Sequence, residues 1–540
     1  MVGAMKEKER LEKIKWNGLN HRVKVKKRGL SILWRIIFGR TMITIVLILA
    51  QIFLLFWVFA RMGAYSKVGL AILQVFSVFT IIYILNSKEN PAFKLAWIIP
   101  LCAVPVLGTL LFLFVQANPG SFRLKHKLKR RIDETEPYTH TQEPIRQAVK
   151  ADEGDIDEIC HYIEHFNHLP AYGNTKVTYF EVGEEKFKDL MVELEKAEHF
   201  IFLEYFIIAK GYMWEHVLDL LKRKAEEGVE VRVMYDGTCT LVNLPYDYAG
   251  KLAKYGIKAK AFSPIKPLLS THQNNRDHRK IFVIDGKVAY TGGINLADEY
   301  INEIELHGHW KDAAVKLTGD AVRSFTLMFL QMWNISERGE ETYACYLPEL
   351  PEQEPEKELG FVIPYNDGPT NMEDVAERVY LDILNQAKEY VHIMTPYLIP
   401  DNEMVVALCF AAQRGIDVKL MLPHIPDKRL IFYIARTYYI QLMQAGVKIY
   451  EYTPGFVHSK VFVSDNRKAV VGSINLDFRS LYEHFECAAY IYKNPVIYAI
   501  EKDYQRTLSK CQRITPESYK KISLITRGLG HIFRVFGPLV

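Results

Sequence analysis

No two of the seven cysteines in this 540-residue chain (Cys102, Cys160, Cys239, Cys345, Cys409, Cys487 and Cys511) form a CxxC pair. That scatter excludes a disulfide framework and a sulfur-ligated zinc site. No group of His, Cys and carboxylate residues has metal-ligand spacing either, so neither metal nor cofactor is expected. Cys487 reads as a buried, inert thiol. Charge is nearly balanced: the formal net is +5, with 24% charged and 49% hydrophobic residues. Such a composition excludes a disordered chain, and the length allows two or three domains. The basic excess is local, with twelve Lys and Arg in residues 1–40, while 347–358 is acidic and proline-bearing.

Three stretches carry no charge at all: 41–60, 68–87 and 95–115, the last interrupted by Pro100 and Pro105. About 20 apolar residues at ~1.5 Å each cover the roughly 30 Å of a bilayer core. Trp57, Tyr65, Tyr83 and Trp97 lie near segment ends, where aromatic anchors sit. N-terminal transmembrane helices are therefore expected. A cleaved signal peptide fits badly, because the first run starts at residue 41 and the pattern repeats. The topology stays open. Residues 1–40 and the run Arg123, Lys125, Lys127, Lys129, Arg130, Arg131 are both basic. Three spans would put them on opposite faces, whereas two spans and a re-entrant segment keep both cytoplasmic. Residues 29–40 mix apolar and basic positions and suit the membrane interface.

One pattern occurs twice, 180 residues apart. His278-x-Lys280, Asp285, Gly292-Gly293 and Asn295 recur at identical intervals as His458-x-Lys460, Asp465, Gly472-Ser473 and Asn475. Six fixed positions at ~5% each make a chance copy rare, on the order of 10⁻⁸ per starting site. The surroundings repeat too. Strand 199–207, helix 214–227, Gly228 and strand 229–237 correspond to strand 389–399, helix 402–413, Gly415 and strand 416–424. Strand–helix–strand alternation predicts an α/β fold with a mostly parallel, buried sheet in each half. Two similar domains related by a pseudo-twofold axis follow. The expected division is a basic segment 1–40, a membrane region 41–115, a linker 116–170, domain 1 over 171–345, an acidic linker 346–362, and domain 2 over 363–540.

Residues i and i+2 of a strand share a face, so His278 points with Lys280 and His458 with Lys460. Asp285 and Asp465 close their strands before turns, where a turn-fixing role competes with a catalytic one. Gly292-Gly293 and Gly472-Ser473 let backbone approach a phosphate closely, and Asn295 and Asn475 add amide donors. If the halves face each other, two imidazoles, two ammonium groups and two amides converge on one cationic pocket. That suits phosphoryl transfer, with one His as nucleophile and the other as acid and base. Each imidazole needs an orienting carboxylate. Asp312 and Glu486 fall at nearly equivalent downstream places, with a slip of one residue.

These residues are the HxKxxxxDxxxxxxGSxN signature of the phospholipase D superfamily, with Gly293 in place of the usual Ser. More closely, the chain resembles bacterial cardiolipin synthases, through 90–114, 271–302, 395–401, 475–486 and the terminal GPLV (537–540). The resemblance implies phospholipase D-like sandwich domains and a metal-free phosphatidyl transfer. Two phosphatidylglycerol molecules would give cardiolipin and glycerol through a phosphohistidine. It also implies His278 as nucleophile, His458 as acid/base, and a multi-pass protein of the bacterial cytoplasmic membrane. The Asp-rich motif of the CDP-dependent route is not present. The rivals are a hydrolase using the same residues, a membrane-tethered nuclease and a non-catalytic scaffold. The nuclease lacks basic residues interleaved with stacking aromatics, so no nucleic-acid partner is expected. Oligomeric state stays open. The last twenty residues alternate apolar patches with Lys521, Arg527 and Arg534, which suits either a membrane surface or packing on the domain.

Overall fold

The computed structural model describes residues 67–116, 119–152, 156–264, 274–337, 339, 341–350 and 354–539, with isolated positions between 49 and 61. The basic segment 1–40 and most of the expected span 41–60 lie outside the described residues. Helix α1 (Lys67–Asn86) coincides with the second expected span. The third is divided into α2 (Pro91–Ala103) and α3 (Pro105–Gln116), because Pro105 lacks an N–H and disfavours helix at the residue before it. Among the described residues, no helix is long and apolar enough to cross a membrane. These helices pack on one another, with Ser77 Oγ 2.6 Å from Thr109 Oγ1 and the Trp97 ring edge-on to Phe112. They also dock on domain 2. Phe93 meets Phe478 and Tyr482 edge-on, and the Asn90 amide donates to Asp401 and Tyr482.

The expected linker 116–170 is not an open connection. It folds as α4 (Pro119–Thr135), α5 (Glu143–Ala151) and α6 (Ile156–Asn167). Ile156, Ile159, Cys160 and Ile163 recur at helical spacing and are buried in the main core, which is what holds the segment down.

Each half is built on one sheet. The first contains β1 (Thr175–Phe180), β2 (Phe200–Tyr205), β3 (Glu230–Asp236), β4 (Lys258–Phe262), β5 (Lys280–Ile284), β6 (Val288–Gly292) and β8 (Ala314–Gly319) in the order β1-β8-β6-β5-β2-β3-β4; β7 (His309–Lys311) stands apart. The second half has β9 (Phe361–Asp367), β10 (Tyr390–Met394), β11 (Leu398–Ile399), β12 (Asp417–Pro423), β13 (Lys448–Tyr452), β14 (Gly455–Val457), β15 (Val461–Ser464), β16 (Lys468–Gly472), β17 (Leu476–Asp477), β18 (Glu486–Tyr492) and β19 (Cys511–Arg513). Its sheet runs β19-β13-β12-β10-β15-β16-β18-β9. The seven-strand order is the same in both halves, with β19 added at one edge of the second.

The sheets are mixed, which corrects the expectation of mostly parallel pairing. Within the two large sheets, among the described residues, only β2–β3–β4 and β10–β12–β13 pair in parallel. The reason lies in the connections. Helix crossovers such as α7 (Tyr212–Glu226) return the chain parallel, but β5 and β6 are joined by the short turn around Gly286, which permits only an antiparallel hairpin. Gly228 (φ +93°) and Gly415 (φ +95°) end the two equivalent helices in the left-handed region, the conformation glycine adopts at helix C-termini.

Alternate residues of β5 serve different cores. Ile281 and Val283 face the core that runs through both halves, whereas Phe282 and Ile284 face the satellite core of domain 1. Each such buried side chain contributes about 1.5–3 kcal/mol. Between the halves, α8 (Val322–Asn334) is buried from Ser324 to Asn334. The strand that follows each signature histidine is therefore clamped on both faces.

Candidate active site

The two signature segments are each completed by the opposite half. β14, which leads into His458, pairs in parallel with β7, and the His458 N–H donates to Lys311 O at 2.7 Å. In the same way Asp277 bridges Phe485, and the His278 N–H donates to Phe485 O at 2.9 Å. These pairings cross the carboxylates. Glu486 of domain 2 lies 2.8 and 3.0 Å from His278 Nδ1, while Asp312 of domain 1 lies 2.6 Å from His458 Nδ1. The slip of one residue disappears in three dimensions. Gly292 pairs with Ala314 and Gly472 with Ala488, so Asp312 and Glu486 both stand two residues before the partner strand position.

Lys280 Nζ donates to His278 O and lies over the Phe206 ring, and Lys460 Nζ donates to His458 O and sits 2.9 Å from His458 Nδ1. Both lysines are buried and neither lines the cavity described below. Gly293 and Ser473 also lie beneath it. Ser473 Oγ donates to Glu486 Oε2. On the other side Gly293 leaves space for Asp312, since a Cβ there would stand 2.8 Å from Asp312 Cγ and nearer still to Oδ1. Glycine at 293 is thus matched to the carboxylate that reaches in. Gly293→Ser should displace Asp312 and lower the rate at least tenfold, although serine is the usual signature residue; wild-type kinetics from this variant would show that Asp312 has room to move.

Asn295 and Asn475 line the cavity. Asn295 is held in place, its Oδ1 accepting from Ile207 N and its Nδ2 donating to Tyr300 OH. Asp285 and Asp465 do not reach the cavity. The Asp285 carboxylate accepts the backbone N–H groups of Glu198, His199 and Phe200, and Asp465 those of Lys388, Glu389 and Tyr390. Both have φ just above +50°. Their geometry fits the turn-fixing alternative.

Burial governs the electrostatics. It holds the His278 imidazole well below its usual range, helped by the charge of Lys280, and takes His458 down to about 4 despite Asp312. Burial likewise pushes Glu486 up to about 8, and lowers Lys280 to about 8 and Lys460 to about 7. Both histidines are therefore neutral at pH 7 in the empty site, as a nucleophile requires, whereas a general acid must first take up a proton with the anionic substrate. A lysine is cationic below its pKa, so these two lose charge as pH rises through 7–8. kcat/KM should accordingly fall between pH 7 and 9, well short of an ordinary lysine titration. A profile flat to pH 10 would exclude the lysines as titrating groups.

The cavity has a volume of about 760 Å³. His278 and His458 line it with Arg276, Lys428 and Arg479, and apolar Leu306, Ile399, Leu430 and Ile431 complete it. Sequence reasoning did not single out Arg276, Lys428, Arg479, Trp310 or His484 as site residues. Arg276, Arg479 and His484 lie close to the signatures, whereas Trp310 and Lys428 lie away from them and carried no sequence signal. The structure also brings ligand atoms of His278, His484 and Glu486 within 4.8 Å of one another. This cluster was invisible to spacing, because its members come from both halves. Cys487 behaves as expected, fully buried with its thiol pushed up to about 11.

Two like domains, with a histidine from each held by a carboxylate from the other, form one composite site. A family model described as cardiolipin synthase, PLD-like domain, matches residues 190–333 and 380–508, and one described as phospholipase D-nuclease N-terminal matches 74–116. The chain belongs to the cardiolipin synthase family. It is 33% identical over 468 residues to a cardiolipin synthase of Alkalihalophilus pseudofirmus, covering 86% of this chain and 92% of that one. A Streptococcus mutans protein described as uncharacterized is 49% identical over 461 residues, covering 85% of this chain and 99% of its own. The crystal structure of a phosphatidylserine synthase from Haemophilus influenzae shares the fold, with a TM-score of 0.53 at 14% identity over 71% of this chain and 100% of that one.

Proposed function

We propose that the protein transfers a phosphatidyl group between two phosphatidylglycerol molecules, giving cardiolipin and glycerol. The observation that carries this reading is the crossed pairing of His278 with Glu486 and His458 with Asp312 around one cation-lined cavity. With Nδ1 of each ring held by a carboxylate, Nε2 is left for chemistry. His278 attacks phosphorus and forms a phosphatidyl-histidine. His458, which must take up a proton on Nε2 as the anionic phosphodiester enters, gives that proton to the departing glycerol oxygen, then regains one from a hydroxyl of the second lipid, which attacks phosphorus and releases His278. Asn295 and Asn475 donate to the phosphoryl oxygens from the cavity wall, while Lys280 and Lys460 behind it contribute positive charge. Asp285 and Asp465 serve this site by fixing the turns behind it.

The family resemblance supports a location in the bacterial cytoplasmic membrane, held by several N-terminal helices. Supporting this, α1 exposes Ile72, Val75, Phe76, Phe79 and Ile82, an apolar face that suits lipid better than water.

Incubating the purified full chain with phosphatidylglycerol alone tests the reaction. Cardiolipin and glycerol in equal amounts are expected, undiminished by a chelator. Phosphatidic acid in their place would make the protein a hydrolase, and loss in chelator restored by one ion would assign a metal to His278, His484 and Glu486.

A further inference from the structure

The two half-sites also differ at a pair of equivalent positions beside the signature histidines. Trp310 stands two residues before Asp312, and His484 two residues before Glu486. Each ring rests against the signature histidine served by that carboxylate: Trp310 lies 5.4 Å from His458, tilted 42°, and His484 lies 5.4 Å from His278, tilted 40°. Both line the cavity, and both are buried, at 7% and 8% exposure. Their backbones are fixed, Trp310 N donating to Asn302 Oδ1 and His484 N to Arg479 O. Phe206 lies against both His278 and His484.

Yet Trp310 Nε1 and both ring nitrogens of His484 have no hydrogen-bond partner among the described residues. His484 Nδ1 is 3.8 Å from Glu486 Oε1, beyond hydrogen-bond reach. A buried donor without a partner costs free energy, and native proteins rarely leave one so without cause. Here two such donors occupy matched places in a cavity lined by Arg276, Lys428 and Arg479.

We propose that Trp310 and His484 are a matched pair of neutral N–H donors, one from each half, to the non-bridging oxygens of the bound phosphodiester. The proposal rests on the phosphatidyl-transfer reading, since it takes the phosphoryl group to sit between His278 and His458. A phosphorus atom about 3–3.5 Å from an attacking nitrogen brings its oxygens alongside the rings that rest against either histidine. Burial, and the positive charge of Arg479, Lys280 and Arg276, keep the His484 ring uncharged. It therefore donates without adding a further cation to a site already rich in them. The exchange of indole for imidazole makes the His278 side the one that can also accept a hydrogen bond.

The test uses the full chain in detergent, with inorganic phosphate and dihexanoyl-phosphatidylglycerol as separate titrants in calorimetry. Trp310→Phe and His484→Phe keep an aromatic ring and remove the N–H. Each should weaken both titrants about three- to tenfold, the size of one net hydrogen bond. His484→Asn, which retains an N–H, should stay within about twofold of wild type. His484→Ala, which introduces no bulk, should lose as much as His484→Phe and decides the matter if phenylalanine lowers the melting temperature. Wild-type affinity for both titrants in His484→Ala and Trp310→Phe would overturn the proposal. So would weakened phosphate binding with unchanged lipid affinity, since the donors would then not contact lipid. A chain that binds phosphate through these donors but makes no cardiolipin would leave this inference standing and remove the reaction assigned above. Normal synthesis with donor-independent binding would do the reverse.

Discussion

Replacing His278 or His458 with alanine is expected to abolish cardiolipin formation, each by on the order of 10⁴-fold or more, because each removes a necessary step of a two-step path. The rings are not redundant despite the pseudo-symmetry. One oxygen leaves and another enters at the same phosphorus, so one nitrogen must bond to phosphorus while the other handles the proton. The reading that His278 is the nucleophile is checked by position. His458→Asn should slow breakdown of the intermediate and leave phosphatidyl on His278. Its formation is slowed as well, so the site of the adduct, not its yield, is the readout. Peptide mapping must be done at neutral or alkaline pH, because phosphohistidine is acid-labile. An adduct on the peptide bearing His458 in wild-type protein would reverse the roles. Retention of more than a few per cent of activity by either alanine variant would contradict a single composite site.

The second large effect should come from the carboxylates, through the histidine of the opposite domain. Asp312→Asn is expected to lower kcat by on the order of 10²–10⁴-fold with little change in KM, as when an amide imposes the wrong imidazole tautomer. Asp312 belongs to domain 1, yet the nitrogen it holds is His458 Nδ1 in domain 2. ¹⁵N resonances should therefore move at His458 and stay at His278. Glu486→Gln should produce the mirror pattern at His278. Shifts confined to the same-domain histidine would mean that the crossed pairing is not the arrangement in solution.

Much of this site was legible because its chemistry is written locally. His, Lys and Asn recur at fixed intervals, and a strand's two-residue period puts His278 with Lys280 on one face. Asp312 and Glu486 could be picked out by their matching downstream places. What no local pattern carries is which histidine each one serves, since that is decided by β7 meeting β14 across the domain boundary. His484 escaped for the same reason: beside Glu486 in sequence, it matters through a ring in the other half. The roles of Asp285 and Asp465 were undecided by composition, because an aspartate before a turn can serve chemistry or backbone, and only the three N–H groups around each distinguish them. Strand positions were readable from apolar runs, but direction was not. The Gly286 hairpin sets it, and a βαβ prior points the other way. The helices of 119–167 were passed over because their charge masks a one-sided apolar periodicity that becomes visible only against the core it covers.

The exchange of carboxylates also has a consequence during synthesis of the chain. A ribosome that has completed the first half has made His278, Lys280 and Asn295, but the residue that orients His278 is not joined until position 486. On the mechanism proposed, the nascent product should be chemically silent for the whole interval in which its first half could fold alone. A message cut short anywhere before codon 486 yields no partial lipase that might attack the membrane beside it. Two inherited copies have in this way become a device with a two-part key, in which reactivity waits until both halves have been made.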